Sequence, residues 1–304
     1  MANITAKDVA ALRERTGVGM MDCKKALVEA NGDFEAAIVL LREKGLATQA
    51  KKAGRVAAEG LVIAMVDGNV GCVVEVNSET DFVANTDQFK NFVNLVAKTV
   101  LACNPADVEA LKACKAVGSD KTVEEELQEV FLQIRENIQI RRFVRFEGNL
   151  VSYIHGDGKI GVLVKLDTDL GDKAFACGKD VALQIAAMNP AYLDRTKVPA
   201  EVLDGEKNIM IAQMKEDPKM ANKPEAVLAK IVEGKVGKYY SENCLVDMEF
   251  VKDNQFTVGK YVDNCAKELG GSIKVADYVR FERGEGIAKR EDNFADEVAS
   301  MMGK

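Results

Sequence analysis

Apolar residues near the N-terminus recur every three or four positions, which is the spacing of the buried face of an amphipathic helix. One such stripe comprises Phe34, Ala37, Ile38 and Leu41. Thr5 and Asp8 have the spacing of a capping pair that opens an earlier helix, and Gly17 ends that helix. Three helices are predicted, over residues 5–17, 22–30 and 33–45. We therefore expect a compact three-helix bundle over residues 1–46, followed by a basic linker over residues 47–56.

A pattern of strand, Asp-Gly turn, valine-rich strand and helix occurs twice in the rest of the chain. The turn glycines are Gly68 and Gly158, and each copy closes on an Asn-Pro-Ala sequence. An Asp-Gly pair between two apolar strands is a strong signal for a β-hairpin. The sequence therefore predicts an α+β protein with a duplicated core. Each half is a small antiparallel sheet with a helix behind it, over residues 57–146 and 147–284.

The two copies differ in length. Gly71 and Asn104 are 33 positions apart, whereas the corresponding Gly161 and Asn189 are 28 positions apart. We expect the extra residues of the first copy in or beside residues 80–85. An insertion on one of two duplicated scaffolds is typical of a functional loop.

Other periodic segments complete the predicted architecture. An amphipathic helix is indicated by Val123, Leu127, Val130, Phe131 and Ile134. A strand is predicted over residues 138–147, and two long helical patterns predict a projecting helical hairpin over residues 199–241. Phe294 and Met301 lie on a last short helix, within a C-terminal module at residues 285–304.

The composition narrows the class of protein. The 304 residues carry a formal net charge of −7, and 47% of them are hydrophobic, which favours a globular protein of two or three domains. Nucleic-acid binding requires clustered lysine and arginine, so an acidic chain without a basic stripe is not expected to bind nucleic acid. Two local basic clusters are expected to be solvated surface: Lys51, Lys52 and Arg55, and Arg141, Arg142 and Arg145.

Nothing in the sequence indicates a membrane segment. The N-terminal residues lack the charged and then apolar layout of a signal peptide. The longest apolar runs, such as residues 36–41 and 61–66, are too short to span a bilayer. We expect a cytoplasmic protein without membrane contact. Its seven cysteines are dispersed and odd in number, so we expect them to be reduced and buried.

Candidate chemistry is scarce. The chain has one histidine, His155, which leaves no basis for a Ser-His-Asp or Cys-His group and argues against a metal site. Glycines over residues 156–161 match a dinucleotide motif, but a strand rather than a helix is predicted after them. We therefore predict no metal, no cofactor and no direct nucleotide binding. His155 precedes a hairpin turn and is expected to bond locally there.

Residues 75–85 follow an apolar strand and precede a helix that begins near Asp87. Asp81 and Phe82 therefore lie on a surface connection, where a large aromatic side chain is costly unless something covers it. Two interpretations are open. Either a partner covers Phe82, or Phe82 folds back as the first core residue of the following helix while Thr80 or Asp81 caps that helix.

Met20 and Met21 lie in the predicted turn between the first two helices. Flexible thioether side chains at such a place often make adaptable contacts with a partner. Packing against the third helix of the bundle is an equally weighted interpretation. The sequence alone leaves both interpretations open.

Two segments resemble the signatures of a known family. The residues concerned are Leu12, Arg13, Thr16, Gly17, Gly19, Met20, Met21, Asp22, Cys23, Lys24, Lys25, Ala26 and Leu27, and the stretch 75–85. They are similar to those of the elongation factor Ts family, the guanine-nucleotide exchange factors for elongation factor Tu. The resemblance covers the full chain and implies an N-terminal domain similar to ubiquitin-associated (UBA) domains. It also implies that the helical hairpin can pair two copies as a homodimer.

The resemblance further implies a site for elongation factor Tu. Phe82 would wedge into an apolar gap between helices of the GTPase, and Asp81 would disturb the surroundings of its Mg²⁺. Thr80 and Val83 would lie beside them, and His155 would press near the same region. Another helix of the GTPase would be held by Arg13, Met20, Met21, Phe294 and Met301.

Three hypotheses for function follow. The first is a nucleotide exchange factor that acts by protein contact and performs no chemistry of its own. The second is an adaptor or chaperone, in which the three-helix bundle binds a helix and the core is inert. The third is an enzyme that uses carboxylates, although no pair of carboxylates is singled out for acid and base roles.

Overall fold

The computed structural model describes residues 4–216 and 223–288 and shows a mixed α+β protein. Its helices are α1 (Ala6–Thr16), α2 (Met20–Glu29), α3 (Phe34–Lys52), α4 (Asp81–Ala84), α5 (Asp87–Cys103), α6 (Val108–Ala113), α7 (Val123–Ile134), α8 (Phe175–Met188), α9 (Ala200–Glu216), α10 (Glu225–Asn243) and α11 (Val258–Leu269). Its strands are β1 (Glu59–Asp67), β2 (Val70–Ser78), β3 (Gln139–Glu147), β4 (Asn149–His155), β5 (Ile160–Thr168), β6 (Glu249–Phe250), β7 (Asp253–Thr257) and β8 (Ile273–Glu282). Over the described residues, no helix has the length and apolar character needed to cross a membrane. The predicted terminal helix with Phe294 and Met301 lies outside the described residues.

The three N-terminal helices pack around one apolar cluster, which Leu132 of α7 completes. The predicted capping pair is confirmed, because the Thr5 hydroxyl accepts a hydrogen bond from the Asp8 amide and the Asp8 carboxylate accepts one from the Thr5 amide. α1 ends at Gly17 as predicted, where φ is 67°, a conformation that glycine adopts without strain. α2 begins at Met20 with Gly19 as its N-cap, earlier than the predicted start at residue 22.

α3 is longer than predicted, because it runs to Lys52 and does not stop at Gly45. Gly45 lies where α3 packs against α7, and a Cβ atom there would be 2.2 Å from Leu132 Cδ2. Glycine at this position permits the close approach of two helices and does not end the helix. Residues 47–52 of the predicted linker are therefore helical.

Two three-stranded antiparallel sheets form the core, in the orders β1-β2-β3 and β4-β5-β8. Each central strand has a register shift at the same place, after Glu75 and after Lys165. The helix behind each sheet ends at an asparagine with φ of 47°, at Asn104 and at Asn189. The predicted small antiparallel sheets are thus confirmed, and the two sheets share these features.

The difference in length between the two copies has two sources. α5 has 17 residues and α8 has 14. The connection between β2 and α5 spans residues 79–86, whereas the connection between β5 and α8 spans residues 169–174. The first connection contains α4, and the second contains a 3-10 helix at Gly171–Ala174. The extra residues therefore lie partly in the connection, as predicted, and partly in the helix that follows.

The two sheets pack face to face, and helices cover the outer face of each. The apolar layer between the sheets contains Val62, Ala64, Val73, Leu150, Leu163 and Phe281. α5 and α7 cover the first sheet around Val74 and Phe89, and α8 and α11 cover the second around Val164 and Ile185. Neighbouring strand residues thus serve different layers, because side chains alternate between the two faces of a strand.

α9 and α10 pack along a separate apolar seam. Its buried residues are Met214, Leu228, Val232 and Val236. The residues between the two helices, 217–222, lie outside the described part of the chain. α11 is an element that we did not predict, although its buried residues Val258, Val262 and Ala266 have helical spacing.

A polar junction joins the bundle to the core. Arg135, directly after α7, donates a hydrogen bond to Asp22 of α2 at 3.0 Å. The side-chain amide of Asn137 donates to the carbonyl oxygens of Ala53 and Arg55, at 3.3 and 2.7 Å. Asn137 is 4% exposed, so the donor of these hydrogen bonds is buried, and the bonds fix the segment that leaves α3.

Replacement of Asn137 by alanine is expected to lower the free energy of unfolding by about 1–3 kcal/mol, because two hydrogen bonds from its buried side-chain amide are lost. Asn94→Ala is a matched control, since Asn94 also donates to a carbonyl oxygen but from a partly exposed helix face. We expect the control to change stability by less than about 0.5 kcal/mol. Urea denaturation followed by circular dichroism measures both. Equal losses in the two variants would contradict a special role for the junction.

Candidate functional site

α4 is a single helical turn between β2 and α5, and it carries the aromatic side chain of Phe82. Phe82 is 83% exposed, more than any other exposed large hydrophobic residue in the described part of the chain. Asp81 beside it is also exposed, whereas Ala84 is buried and Val83 packs partly against the core of the first sheet. The interpretation in which Phe82 becomes the first core residue of the following helix is therefore wrong.

The backbone of α4 is held at both ends. Thr80 is its N-cap, and the Thr80 hydroxyl accepts a hydrogen bond from the Val83 amide at 3.3 Å. The Ser78 hydroxyl donates to the Thr80 carbonyl oxygen at 3.0 Å. α5 has a separate cap, Thr86, whose hydroxyl donates to the Val83 carbonyl oxygen at 2.7 Å. Phe82 is thus exposed on a backbone that its neighbours fix.

Two carboxylates attach this connection to the segment after α7. Glu136 accepts hydrogen bonds from the Thr80 amide at 3.0 Å and from the Thr80 hydroxyl at 2.7 Å. Glu79 accepts a hydrogen bond from the backbone amide of Asn137 at 2.7 Å and lies 3.3 Å from the guanidinium of Arg55. We did not predict either carboxylate, because these hydrogen bonds join residues 56 and 58 positions apart.

His155 is the last residue of β4, and its side chain is exposed. Its Nδ1 lies 3.0 Å from the hydroxyl of Tyr153, so the expected local bond is made within the strand. The hairpin turn that follows packs on the first sheet, where the Gly158 carbonyl oxygen accepts a hydrogen bond from the Val62 amide at 2.8 Å. Because the start of β1 pairs with the end of β2, this turn and α4 lie toward the same end of the core.

The bundle residues named by the resemblance lie at the surface. Met20 is 41% and Met21 is 64% exposed, in the first turn of α2 and not in the turn before it. α2 contributes Cys23, Ala26 and Leu27 to the bundle core instead. Arg13 is exposed on α1. These exposures favour the interpretation of the methionines as contact residues over their packing against the third helix.

A buried carboxylate lies near the base of this connection. Glu75 is 0% exposed and accepts hydrogen bonds from Arg141 at 3.0 Å, Arg142 at 2.6 Å, Asn77 at 3.1 Å and the Gly284 amide at 2.8 Å. Burial alone raises the pKa of this carboxyl. The hydrogen bonds from Gly284, Arg142 and Asn77, with the charge of Arg142, outweigh burial and leave the pKa below its ordinary value. Glu75 therefore joins β2, β3 and the segment after β8.

The second basic cluster is not solvated surface, and that prediction is wrong. Arg141 and Arg142 pair with Glu75, and the Arg142 guanidinium lies 4.1 Å from the centre of the Phe281 ring. The side chain of Arg145 is 13% exposed and donates to the carbonyl oxygen of Leu101 near the end of α5. These arginines hold the core together.

The cysteines follow the prediction only in part. Cys23, Cys72, Cys177 and Cys244 are free and buried, whereas Cys103 is exposed and Cys114 and Cys265 are partly exposed. Burial raises the pKa of the Cys72 thiol to about 12, despite the nearby charge of Arg145. Across the described residues, no three histidine, cysteine or acidic side chains come together as a set that could ligate a metal.

Comparison with known proteins places these features in a family. Residues 79–285 match the family model described as Elongation factor TS. The chain is 51% identical over 303 residues to Elongation factor Ts of Syntrophotalea carbinolica, which covers 98% of this chain and 99% of the relative. It is 48% identical over 305 residues to Elongation factor Ts of Clostridium acetobutylicum, with 98% of each chain covered.

A third relative, Elongation factor Ts of Clostridium perfringens, is 51% identical over 307 residues, which cover 99% of this chain and 100% of the relative. The match to the family model begins at Glu79 and so includes the connection that carries α4. The model spans more than half of the chain, and the relatives are similar over nearly all of it. This protein belongs to the elongation factor Ts family.

Proposed function

We propose that this protein promotes the release of GDP from elongation factor Tu by protein contact, without making or breaking a covalent bond. The observation that carries the proposal is Phe82, which is 83% exposed on a capped helical turn next to the exposed carboxylate of Asp81. A partner that buries such a ring gains about 1.5–3 kcal/mol. Membership of the elongation factor Ts family supports elongation factor Tu as that partner.

The two exposed side chains have different roles in this proposal. A GTPase holds the phosphates of GDP through a backbone loop and Mg²⁺. Phe82 enters an apolar gap between helices beside that site and keeps the gap open. Asp81 brings a negative charge close to the Mg²⁺ ligands and disturbs their positions. Mg²⁺ demands near-ideal octahedral geometry, so this disturbance weakens its binding. Thr80 and Val83 hold the turn that presents both.

Further contacts increase the effect. The coupling is reciprocal, so the factor weakens GDP binding by the same ratio as GDP weakens binding of the factor. A coupling free energy of about 1–3 kcal/mol corresponds to a ratio of about 5–150. We propose that α4 and His155, which meet the same region of the GTPase, share a larger coupling. Arg13, Met20 and Met21 contact another helix of the GTPase and hold it throughout release.

The proposal is tested by the release of labelled GDP from elongation factor Tu of the same organism, with and without this protein. An exchange factor increases the release rate to a plateau as its concentration rises. An adaptor or chaperone binds without changing that rate. Binding without acceleration would therefore reject the proposed function and favour the second hypothesis.

Two finer points belong to the same proposal. We place the protein in the cytoplasm, where it would meet its partner during translation, and we propose a complex with one GTPase molecule. Pairing of two copies through α9 and α10 stays a prediction. On these helices Val202, Ile209 and Val227 are 37%, 52% and 41% exposed and would contribute to such a contact.

Met21→Glu is expected to raise the half-saturating concentration of the factor about tenfold and to leave the saturating rate of GDP release within about twofold. A contact that holds the partner equally before and during release changes binding and not the plateau. Val39→Glu is the control, since Val39 is 53% exposed on α3, on the same bundle. Titration of GDP release measures both. A loss of plateau rate in Met21→Glu would contradict this division of roles.

A further inference from the structure

The single turn of α4 cannot fix its own direction. It has four residues, Asp81–Ala84, and a helix this short is not stable by itself in water. Its orientation therefore depends on contacts at its ends. The N-terminal end is decisive, because Asp81 and Phe82 are its first two residues.

Other helices of this chain fix their N-termini with a local capping box. In α7, Thr122 accepts a hydrogen bond from the amide of Glu125, and the Glu125 carboxylate accepts one from the Thr122 amide at 2.8 Å. In α1, Thr5 and Asp8 do the same. In both helices the carboxylate comes from the third helical residue, which is the usual arrangement.

α4 has the threonine of a capping box but not the carboxylate. Its third residue is Val83, whose side chain packs partly against the core of the first sheet. The Thr80 amide and hydroxyl donate instead to Glu136, which is 56 positions away in sequence. Glu136 therefore completes the capping box of α4 from a distant segment.

Glu136 is itself held on both sides. Arg135 before it has φ of 64° as the C-cap of α7 and bonds to Asp22 of the bundle. The next residue, Asn137, is buried. Its backbone amide donates to Glu79, which lies on the same connection as α4. The carboxylate that fixes α4 is thus placed by residues that also fix the bundle on the core.

We infer that Glu136 is a positioning residue for nucleotide exchange, which sets the direction of α4 and so presents Phe82 and Asp81 ready to enter the partner. The inference rests on the proposed function. Without Glu136, α4 has to be ordered as the aromatic ring enters the opening nucleotide site, and that ordering raises the barrier to GDP release. Small errors in the placement of such a group reduce the rate strongly.

Glu136→Ala tests the inference, with Glu125→Ala as its matched control. Both substitutions remove a carboxylate from a threonine-capped helix, but the Glu125 carboxylate caps α7 through Thr122. We expect Glu136→Ala to lower the saturating rate of GDP release about tenfold and to change the half-saturating concentration less than about twofold. We expect Glu125→Ala to leave both values near wild type. Glu136→Gln keeps one acceptor oxygen and should have an intermediate rate.

A second measurement does not depend on nucleotide exchange. Hydrogen exchange of the backbone amides over residues 80–86 in the isolated protein should become about tenfold faster in Glu136→Ala and unchanged in Glu125→Ala. Wild-type amide exchange in Glu136→Ala, or equal losses of release rate in the two variants, would overturn the inference. If the wild-type protein does not accelerate GDP release, the proposed function fails, and amide exchange alone still decides whether Glu136 positions α4.

Discussion

Replacement of Phe82 by alanine is expected to lower the saturating rate of stimulated GDP release about 100-fold. The substitution removes an apolar ring whose burial is worth up to about 3 kcal/mol, and central aromatic contacts at interfaces often reach 2–4 kcal/mol. If the ring is buried only as the nucleotide site opens, its loss raises the barrier to release by that amount, and 1.36 kcal/mol is a factor of ten in rate.

The substitution should not affect the stability of the protein itself. Phe82 is 83% exposed, so the isolated protein loses little packing, and the free energy of unfolding should change by less than about 0.5 kcal/mol. This property separates a functional role from a structural one, because a core phenylalanine replaced by alanine costs about 3–5 kcal/mol. Urea denaturation of the variant measures the difference.

Two further variants make the test of Phe82 specific. Phe82→Leu keeps an apolar side chain and should retain an intermediate release rate. Phe175→Ala is the matched control, since Phe175 is the first residue of α8 in the second copy and is 36% exposed. It should leave the release rate near wild type. An unchanged rate in Phe82→Ala, or an equal loss in Phe175→Ala, would contradict the role proposed for Phe82.

Features that depend on neighbouring residues could be predicted from the sequence. The capping pair at Thr5 and Asp8, the turns at Gly68 and Gly158 and the two hairpins of the core follow from local spacing. Gly45 is a residue whose role local spacing predicts wrongly. Glycine is a usual stop signal, yet here it lies inside α3 because Leu132 of another helix packs against it. Only the tertiary contact separates these two uses of glycine.

The position of the candidate site in the sequence could be predicted, but the contacts that hold its residues in place could not. The extra residues of the first copy pointed to Asp81 and Phe82, while the exposure of Phe82 depends on Val83 filling the space beside the core. Glu136 carried no signal because its partner, Thr80, is distant in sequence. The same limit applies to Glu75, whose arginine partners lie 66 and 67 positions away. Long-range polar pairs have no periodicity, so a single sequence does not reveal them.

Replacement of Glu75 by alanine is expected to have the largest effect on stability. It leaves Arg141, Arg142, Asn77 and the Gly284 amide without their shared acceptor inside the core. Removal of one partner from a buried ion pair costs about 3–5 kcal/mol. We expect a loss near the lower end, because the side chains of Arg141 and Arg142 are 25% and 30% exposed and Arg142 keeps its contact with Glu285. Urea denaturation at pH 7 measures this loss. Glu285→Ala is the control, since Glu285 also pairs with Arg142 but its side chain is 45% exposed.

The effect of Glu75→Ala should depend on pH in a defined direction. The pKa of Glu75 in the folded protein lies below its ordinary value of 4.5, so the unfolded chain binds the proton more readily. The carboxylate therefore stabilises the fold fully above about pH 4.5, and this contribution is lost as pH falls through the folded-state pKa. The difference in unfolding free energy between wild type and Glu75→Ala should be constant near neutral pH and shrink in acid. A difference that stays constant down to pH values well below the ordinary pKa would show that packing, and not the charge of Glu75, joins β2 to β3.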